Sequence, residues 1–176
     1  MILPISQIPQ QETQLRRMSV NLDMSLLQTK EYQTLIDDMI ATMYDDDGIG
    51  LAAPQIGKNI RLFVIGKDAV TDDLTMIEGN LKKRTDIAVI NPTWEKISRK
   101  TIWETEGCLS VPDMLGDVKR YRDIMVSGYD RFGKPFRCEA HNFLARVIQH
   151  ETDHINGILF IDKAKNIHHS NYRKRL

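Results

Sequence analysis

Apolar positions along this chain change their period twice, and the changes divide it into helix, strands and helix again. In "SLLQTKEYQTLIDDMIATMY", Tyr32, Leu35, Ile36, Met39, Ile40 and Met43 recur at steps of three and four. That is the spacing of an amphipathic helix with one buried stripe. The acidic run Asp45 to Asp47 sits badly at the negative end of a helix dipole. The helix is therefore expected to end near Tyr44, with the three aspartates in the turn. From there to about residue 140 the texture becomes short apolar runs between turn residues, which predicts strands. Residues 60–66 and 87–92 form two, "TWEKISRK" and "TIWETE" supply more, and "IMVSGYD" returns through Phe132-Gly133 into "PFRCEA" as a hairpin. Residues 73–85 read as a solvated excursion. Helical spacing returns at "NFLARVIQHETDHING". There Phe143, Leu144, Val147, Ile148 and Ile155 mark the buried side, and Asn156-Gly157 is the stop signal. The polar, basic tail that follows is expected to be mobile at its end. The sum is an α+β fold.

Composition narrows this further. The 176 residues show no repeat and no low-complexity linker, so a single domain over 1–176 is expected. Lys+Arg and Asp+Glu each number 24, so no global field points to DNA or to an anionic membrane. No apolar run approaches the roughly 20 residues needed to span a bilayer, and the first residues lack signal-peptide features. A cytoplasmic, reducing setting is the expectation. The two cysteines, Cys108 and Cys138, are then thiols available for metal or chemistry rather than for a bridge.

Candidate chemistry centres on "QHETDHINGILF", residues 149–160. On a helix His150 and His154 lie on one face about a turn apart, so both imidazoles can reach one ion. Glu151 is rotated away by roughly 100°, too far round to be a natural third ligand yet placed to act as a general base. Asp153 reads as a polar neighbour. A two-histidine helix end can also be plain surface decoration, and a metal catalyst needs a third ligand with an open position beside it. Downstream, His168 and His169 stand in the loose tail, a poor scaffold. Upstream, Cys108 follows Gly107 in "WETEGCLSVP", with polar Glu106 and Ser110 around it. As a thiolate it would complete a Cys-His-His set. Cys138 sits in an ordinary strand and reads as a small buried hydrophobe. In "GIGLAAPQIG", residues 48–57, Gly48 and Gly50 allow close backbone approach and Ala52 and Ala53 allow tight packing. Gln55 offers an amide donor. No Lys-Ser/Thr follows, which weighs against a phosphate loop.

In this order, "GIGLAAPQ", "EGCLS" and "HETDH" resemble the three motifs of the peptide deformylases. The resemblance extends over about residues 48–162 and more loosely over the N-terminal helix. It implies a single catalytic domain: small, mostly antiparallel sheets packed around a central helix that carries the HExxH motif, plus an N-terminal helix. The implied activity is hydrolytic removal of the N-formyl group from the initiator methionine of nascent polypeptides, with release of formate. Carried onto this sequence, Cys108, His150 and His154 would bind one divalent metal ion and Glu151 would be the general acid/base. Gln55 and the backbone N–H of Leu109 would stabilise the oxyanion. Ile49, Gly50 and Gly107 would line the substrate groove. Phe143 and Val147 would line the methionine pocket, with His150 at its floor. By the same resemblance the working ion is Fe²⁺, with Zn²⁺ or Ni²⁺ able to replace it.

There are departures from the family pattern. "QQETQLRRMS" stands where an Asp-Pro turn is expected before the Leu-Arg pair, which puts the entry of the first helix in doubt. Asn142 stands where glycine is usual before the motif helix, and asparagine is the next most tolerant residue of left-handed geometry. Ile155 replaces a usual leucine, a volume-conserving change. A long C-terminal helix is expected to be short or absent. The alternative class is a non-catalytic binder of ribosomes or nascent chains, using the basic tail of about 165–176 with Arg173, Lys174 and Arg175 to touch rRNA phosphates. Such a binder needs neither Glu151 nor all three ligands, which weighs against it. A metallopeptidase built on HExxH is disfavoured by the upstream cysteine.

Overall fold

The computed structural model describes residues 1–170. Among the described residues three α-helices run Glu12–Leu15 (α1), Lys30–Asp45 (α2) and Asn142–Ile155 (α3). The strands are Gly50–Ala52 (β1), Leu62–Ile65 (β2), Leu74–Glu78 (β3), Ile87–Lys96 (β4) and Thr101–Cys108 (β5). They continue with Val111–Tyr121 (β6), Asp123–Tyr129 (β7), Pro135–His141 (β8) and Lys165–His169 (β9). Six strands form one sheet in the order β1-β2-β4-β7-β8-β3, and β5-β6-β9 form a second. Every named pairing is antiparallel, as the α+β expectation required.

The site is carried where α3 meets both sheets. Leu144, Ala145, Ile148 and Ile155 of α3 are buried with Phe63, Val89, Ile124 and Val126 of the large sheet. On the other side of that sheet, Ile36, Met39 and Met43 of α2 pack with Leu51, Leu62, Val64 and Ile90. Alternate residues of β2 thus face α3 and α2, so its uninterrupted apolar run "LFVI" follows from burial on both faces. The Val, Leu, Ile, Met and Phe side chains among these each contribute roughly 1.5–3 kcal/mol.

Both ends of α3 are set by backbone geometry. Asn142 has φ +44°, which explains why asparagine is the substitute tolerated where glycine is usual, and its Nδ2 donates to Asp73 Oδ1 at 2.9 Å. Gly157 has φ +74°. Its N–H bonds His154 O at 3.0 Å, and that of Ile158 bonds Asp153 O at 2.9 Å, which closes the helix in a Schellman motif.

Four local expectations are corrected. Residues 73–85 are not wholly an excursion: Leu74–Glu78 is β3, paired with β8. It is an edge strand with only Leu74 buried, so it lacked an apolar signature. The segments expected as separate strands at 87–92 and 93–100 are largely one strand, β4. Its register shifts between Ile90 and Thr93, where Asn91 has φ +48° and Pro92 offers no N–H. Phe143 is 43% exposed rather than buried. The tail begins as a strand, with Met114 opposite His169 and Leu115 opposite His168. Its last six residues, with Arg173, Lys174 and Arg175, lie outside the described residues.

Candidate metal centre

Cys108 ends β5, and a tight turn pairs it with Val111 at the start of β6. That turn brings its Sγ to 3.2 Å from His154 Nε2, across 46 positions of sequence. His150, one turn earlier on α3, has its ring centroid 5.0 Å from that of His154. One ligand atom from each of Cys108, His150 and His154 lies within 4.8 Å of the other two. Donors of a tetrahedral site at ordinary bond lengths lie roughly 3.3–3.7 Å apart, so the three donors stand within about 1 Å of the spacing that one ion requires. The structure brings these three sequence-predicted residues together. His168 and His169 stand apart on exposed β9. Cys138 is 1% exposed in β8, and burial pushes its thiol up to about 12.

The charges support the same reading. Burial alone would raise the Cys108 thiol, but the charge of His154 and hydrogen bonds from both histidines bring it down to about 5, so the thiolate is its stable form. Burial works to lower His150, yet its bonds to Cys108 and Glu106 lift it to about 10. The cluster therefore favours positive charge in the space beside the sulfur, a setting compatible with a divalent cation. His150 Nδ1 is 2.9 Å from Glu106 Oε2, which turns Nε2 toward the cluster. A carboxylate behind a histidine ligand is the usual way to fix ring orientation.

Glu151 is 4% exposed, and its Oε2 has no hydrogen-bond partner among the described residues. A buried carboxylate oxygen left so is costly unless a substrate or solvent group completes it. Burial pushes Glu151 up to about 7, within reach of either protonation state at neutral pH. The glycine at 50 has a purpose the sequence did not reveal. A Cβ there would lie 2.4 Å from Glu151 Oε1, so the carboxylate occupies the space of the missing side chain. Gln55 is oriented by its neighbours: its Oε1 accepts from Ala52 N–H at 2.8 Å, and its Nε2 donates to Ser110 Oγ at 3.1 Å and reaches Cys108 Sγ at 3.6 Å.

A cavity of about 680 Å³ opens over these groups. Cys108, His150, Glu151 and Gln55 line it, as do Ile49, Gly50, Gly107, Leu109, Phe143 and Val147. His154 is 1% exposed, buried behind Cys108. The exposed Phe143 and Ile49, 43% and 48% accessible, are thus apolar groups of the cavity lining rather than core. A second hollow of about 700 Å³, lined by Gln10, Gln14, Arg17, Asn59 and their neighbours, carries no cysteine, histidine or carboxylate.

Sequence reasoning missed the layer behind the ligands. Glu106 receives Arg120 Nε and Nη2, both at 2.9 Å, and Arg146 Nη1 at 2.6 Å. Burial would raise this carboxyl, but its bonds from Arg120 and His150 hold it far below the usual range. Asp153, expected as a polar neighbour of the candidate ligands or a group behind them, pairs with Arg120 and with Lys163 Nζ, the latter at 2.6 Å. The available signal was spacing. Glu104, Glu106 and Cys108 alternate along one strand, and Arg146 stands four before His150.

Comparison with known proteins agrees. The family model described as polypeptide deformylase matches residues 2–170. Peptide deformylase 1 of Corynebacterium efficiens is 44% identical over 130 residues, covering 74% of this chain and 70% of that relative. A peptide deformylase from Legionella pneumophila superposes with a TM-score of 0.76 at 38% identity, covering 94% of this chain and 88% of that one. The Met-Ala-Ser-bound class I type b peptide deformylase from Acinetobacter baumannii gives 0.79 at 28% identity, covering 93% and 98%. With the family model covering nearly the whole chain and the Cys-His-His cluster assembled, the chain belongs to the polypeptide deformylase family and is a metal-dependent hydrolase that removes N-terminal formyl groups.

Proposed function

We propose that Cys108, His150 and His154 hold one divalent ion and that Glu151 carries the protons of formyl hydrolysis on nascent N-formylmethionyl peptides. The observation that carries this is a buried carboxylate oxygen without a partner among the described residues, in the cavity that Cys108 and His150 also line. The ion, when bound, supplies Lewis acidity and lowers the pKa of water. Glu151, held near 7 by burial, accepts the proton of the attacking water and delivers it to the departing α-amine. Gln55 donates through Nε2, since its Oε1 is engaged by Ala52 N–H. Together with the N–H of Leu109 it stabilises the tetrahedral oxyanion, a contribution of about 10²–10³ in turnover per donor.

An extended peptide would pair its backbone along Ile49, Gly50 and Gly107. Its methionine would enter between Phe143 and Val147 with His150 beneath, in the cavity that all six residues line. Fe²⁺ is the working ion in this reading and Zn²⁺ or Ni²⁺ its replacements, since a thiolate and two imidazoles suit each of them. No helix of the described residues is long and apolar enough to cross a membrane. Contact of Arg173, Lys174 and Arg175 with ribosomal RNA rests on sequence charge alone.

The test is formate release from formyl-Met-Ala-Ser by protein prepared anaerobically with Fe²⁺, beside Glu151→Ala. Rapid release that the variant loses while keeping its metal is the expected result. Release undiminished in the variant would refute the role of Glu151, and a single bound metal without release would refute the substrate assignment. Reloading metal-free protein with Zn²⁺ or Ni²⁺ ranks the ions directly, and faster turnover with Zn²⁺ than with Fe²⁺ would overturn the choice of metal.

A further inference from the structure

Arg146 lies on α3 one turn before His150 and two before His154. It is 5% exposed, and a buried guanidinium is tolerable only when its N–H groups find acceptors. They do so on two strands of the three-stranded sheet. Nε donates to Glu104 Oε2 at 2.7 Å and Nη2 to Ile102 O at 2.9 Å, while Nη1 reaches both Glu106 Oε1 at 2.6 Å and Val118 O at 3.0 Å.

Three of those four acceptors belong to β5, the strand that ends in Cys108. The helix carries the two histidines and the strand carries the thiol, with 46 positions of sequence between Cys108 and His154. Their spacing must therefore be set by contacts between the elements. Arg120 makes one such link from β6 to Asp153 of α3. Arg146 makes the reciprocal link, from α3 directly to the Cys108 strand. It also completes the grip on Glu106, whose Oε1 accepts Arg120 and Arg146 while Oε2 accepts Arg120 and His150.

We infer that Arg146 is a positioning residue: its fork fixes the distance between Cys108 and the two histidines and holds Glu106 where it receives His150. This rests on the metal-site reading above. Lysine cannot reproduce the arrangement, because a single ammonium has no planar fork to span Glu104, Glu106 and two carbonyls. Neither the glycine-rich stretch nor HExxH contains Arg146, so those motifs give no hint of this role.

The test compares wild type, Arg146→Lys, Arg146→Met and Cys108→Ser under anaerobic, reducing conditions. Co²⁺ affinity is measured by chelator competition, the thiolate and d–d absorption bands report ligand geometry, and urea unfolding is followed alongside. Wild type is expected to show a thiolate band that Cys108→Ser loses. Arg146→Lys is expected to weaken Co²⁺ by about 10- to 100-fold, the usual effect of losing support behind a ligand, with shifted d–d bands, and Arg146→Met by at least as much. Affinities within about 2-fold of wild type and superimposable spectra would overturn the inference, whatever the urea midpoints do. If Arg146→Met does not fold, Arg146→Lys decides by the same criteria. Wild type that binds Co²⁺ without using Cys108 would overturn the metal-site reading and this inference together. Cys108-dependent binding that ignores Arg146 would overturn this inference alone.

Discussion

Gly50→Ala separates two roles of a glycine that the motif alone cannot distinguish. A Cβ at residue 50 would lie 2.4 Å from Glu151 Oε1, 2.8 Å from Cδ and 3.0 Å from Cγ. Ordinary contact begins near 3.4 Å, so the carboxylate must retreat by about 1 Å. It is the end of a side chain, not backbone, and can yield. The substitution also reduces the freedom of the unfolded chain, a stabilising contribution of about 0.4–1 kcal/mol. The squeeze on Glu151 offsets it, so net stability should change by less than about 1 kcal/mol. Turnover should not be spared, because a misplacement of about 1 Å at a reacting group costs on the order of 10²-fold. The assay is kcat for formate release, with metal content and urea midpoint measured on the same preparation. The expected pattern is kcat down by about 100-fold with metal and stability retained. A variant with kcat within a few-fold of wild type would refute the claim that the absent Cβ positions Glu151. Outright unfolding would refute the claim that the side chain gives way first.

Three further outcomes are expected. At Gly157, φ is +74° and an added Cβ would sit 2.3 Å from Arg16 O, a backbone atom; Gly157→Ala should cost about 2–5 kcal/mol from left-handed strain and overpacking, and a loss below about 1 kcal/mol by urea unfolding would contradict this. In folded, chelator-treated protein, iodoacetamide at neutral pH should modify Cys108, whose thiol lies at about 5, and spare Cys138, at about 12; Zn²⁺ should protect Cys108, and equal labelling of both thiols would count against the assignment. Arg16 grips Asp162 through two N–H donors at 2.8 and 3.1 Å, chiefly by which the carboxyl falls below its ordinary 3.8. Because the folded pKa is the depressed one, this stability is complete above 3.8 and disappears as pH falls through the folded value. Asp162→Asn should therefore cost about 1 kcal/mol at pH 7, discounted for a pair one-third exposed, and progressively less in acid; a cost that grows on acidification would refute the linkage.

The fold was legible where burial is one-sided or complete. Ile36, Met39 and Met43 announce α2 because three- and four-residue steps place them on one buried stripe. "LFVI" announces β2 because apolar residues cover both of its faces. The Phe132-Gly133 hairpin follows from turn chemistry, and Gly133 does adopt φ +75°. Legibility failed at edges. In β3 only Leu74 is buried, and all five residues of β9 are exposed. A strand held chiefly by backbone hydrogen bonds leaves little trace in side-chain pattern, so both looked like loop. Phe143 failed for the opposite reason: it keeps helical spacing but faces the cavity, and an apolar residue there carries the same signature as one in the core.

The site divides along the same line between local and non-local information. Residues 150, 151 and 154 are fixed relative to one another by the helix, so their chemistry could be read from spacing before any tertiary structure was known. Cys108 could be nominated because a glycine and polar neighbours set it apart from Cys138. What spacing could not supply is the reason these groups hold their poses. His150 is oriented by Glu106, 44 positions away, and Glu106 by Arg120 and Arg146, 14 and 40 positions away. Each residue of that layer is ordinary alone. A glutamate in a strand reads as solvated surface, and an arginine on a helix reads as its polar face. Only the docking of α3 against β5 and β6 turns them into a network, buried at Arg120, Arg146, Glu106 and Asp153 and open to solvent at Glu104 and Lys163, in which three cations (Arg120, Arg146, Lys163) face three carboxylates (Glu104, Glu106, Asp153). That near-neutral balance lets ionised groups stay buried beside a thiolate, since a partnered charge avoids most of the penalty that a lone one would incur. The motif thus names the atoms proposed to meet a metal and a substrate, while the contacts that hold their elements together come from residues the motif does not contain.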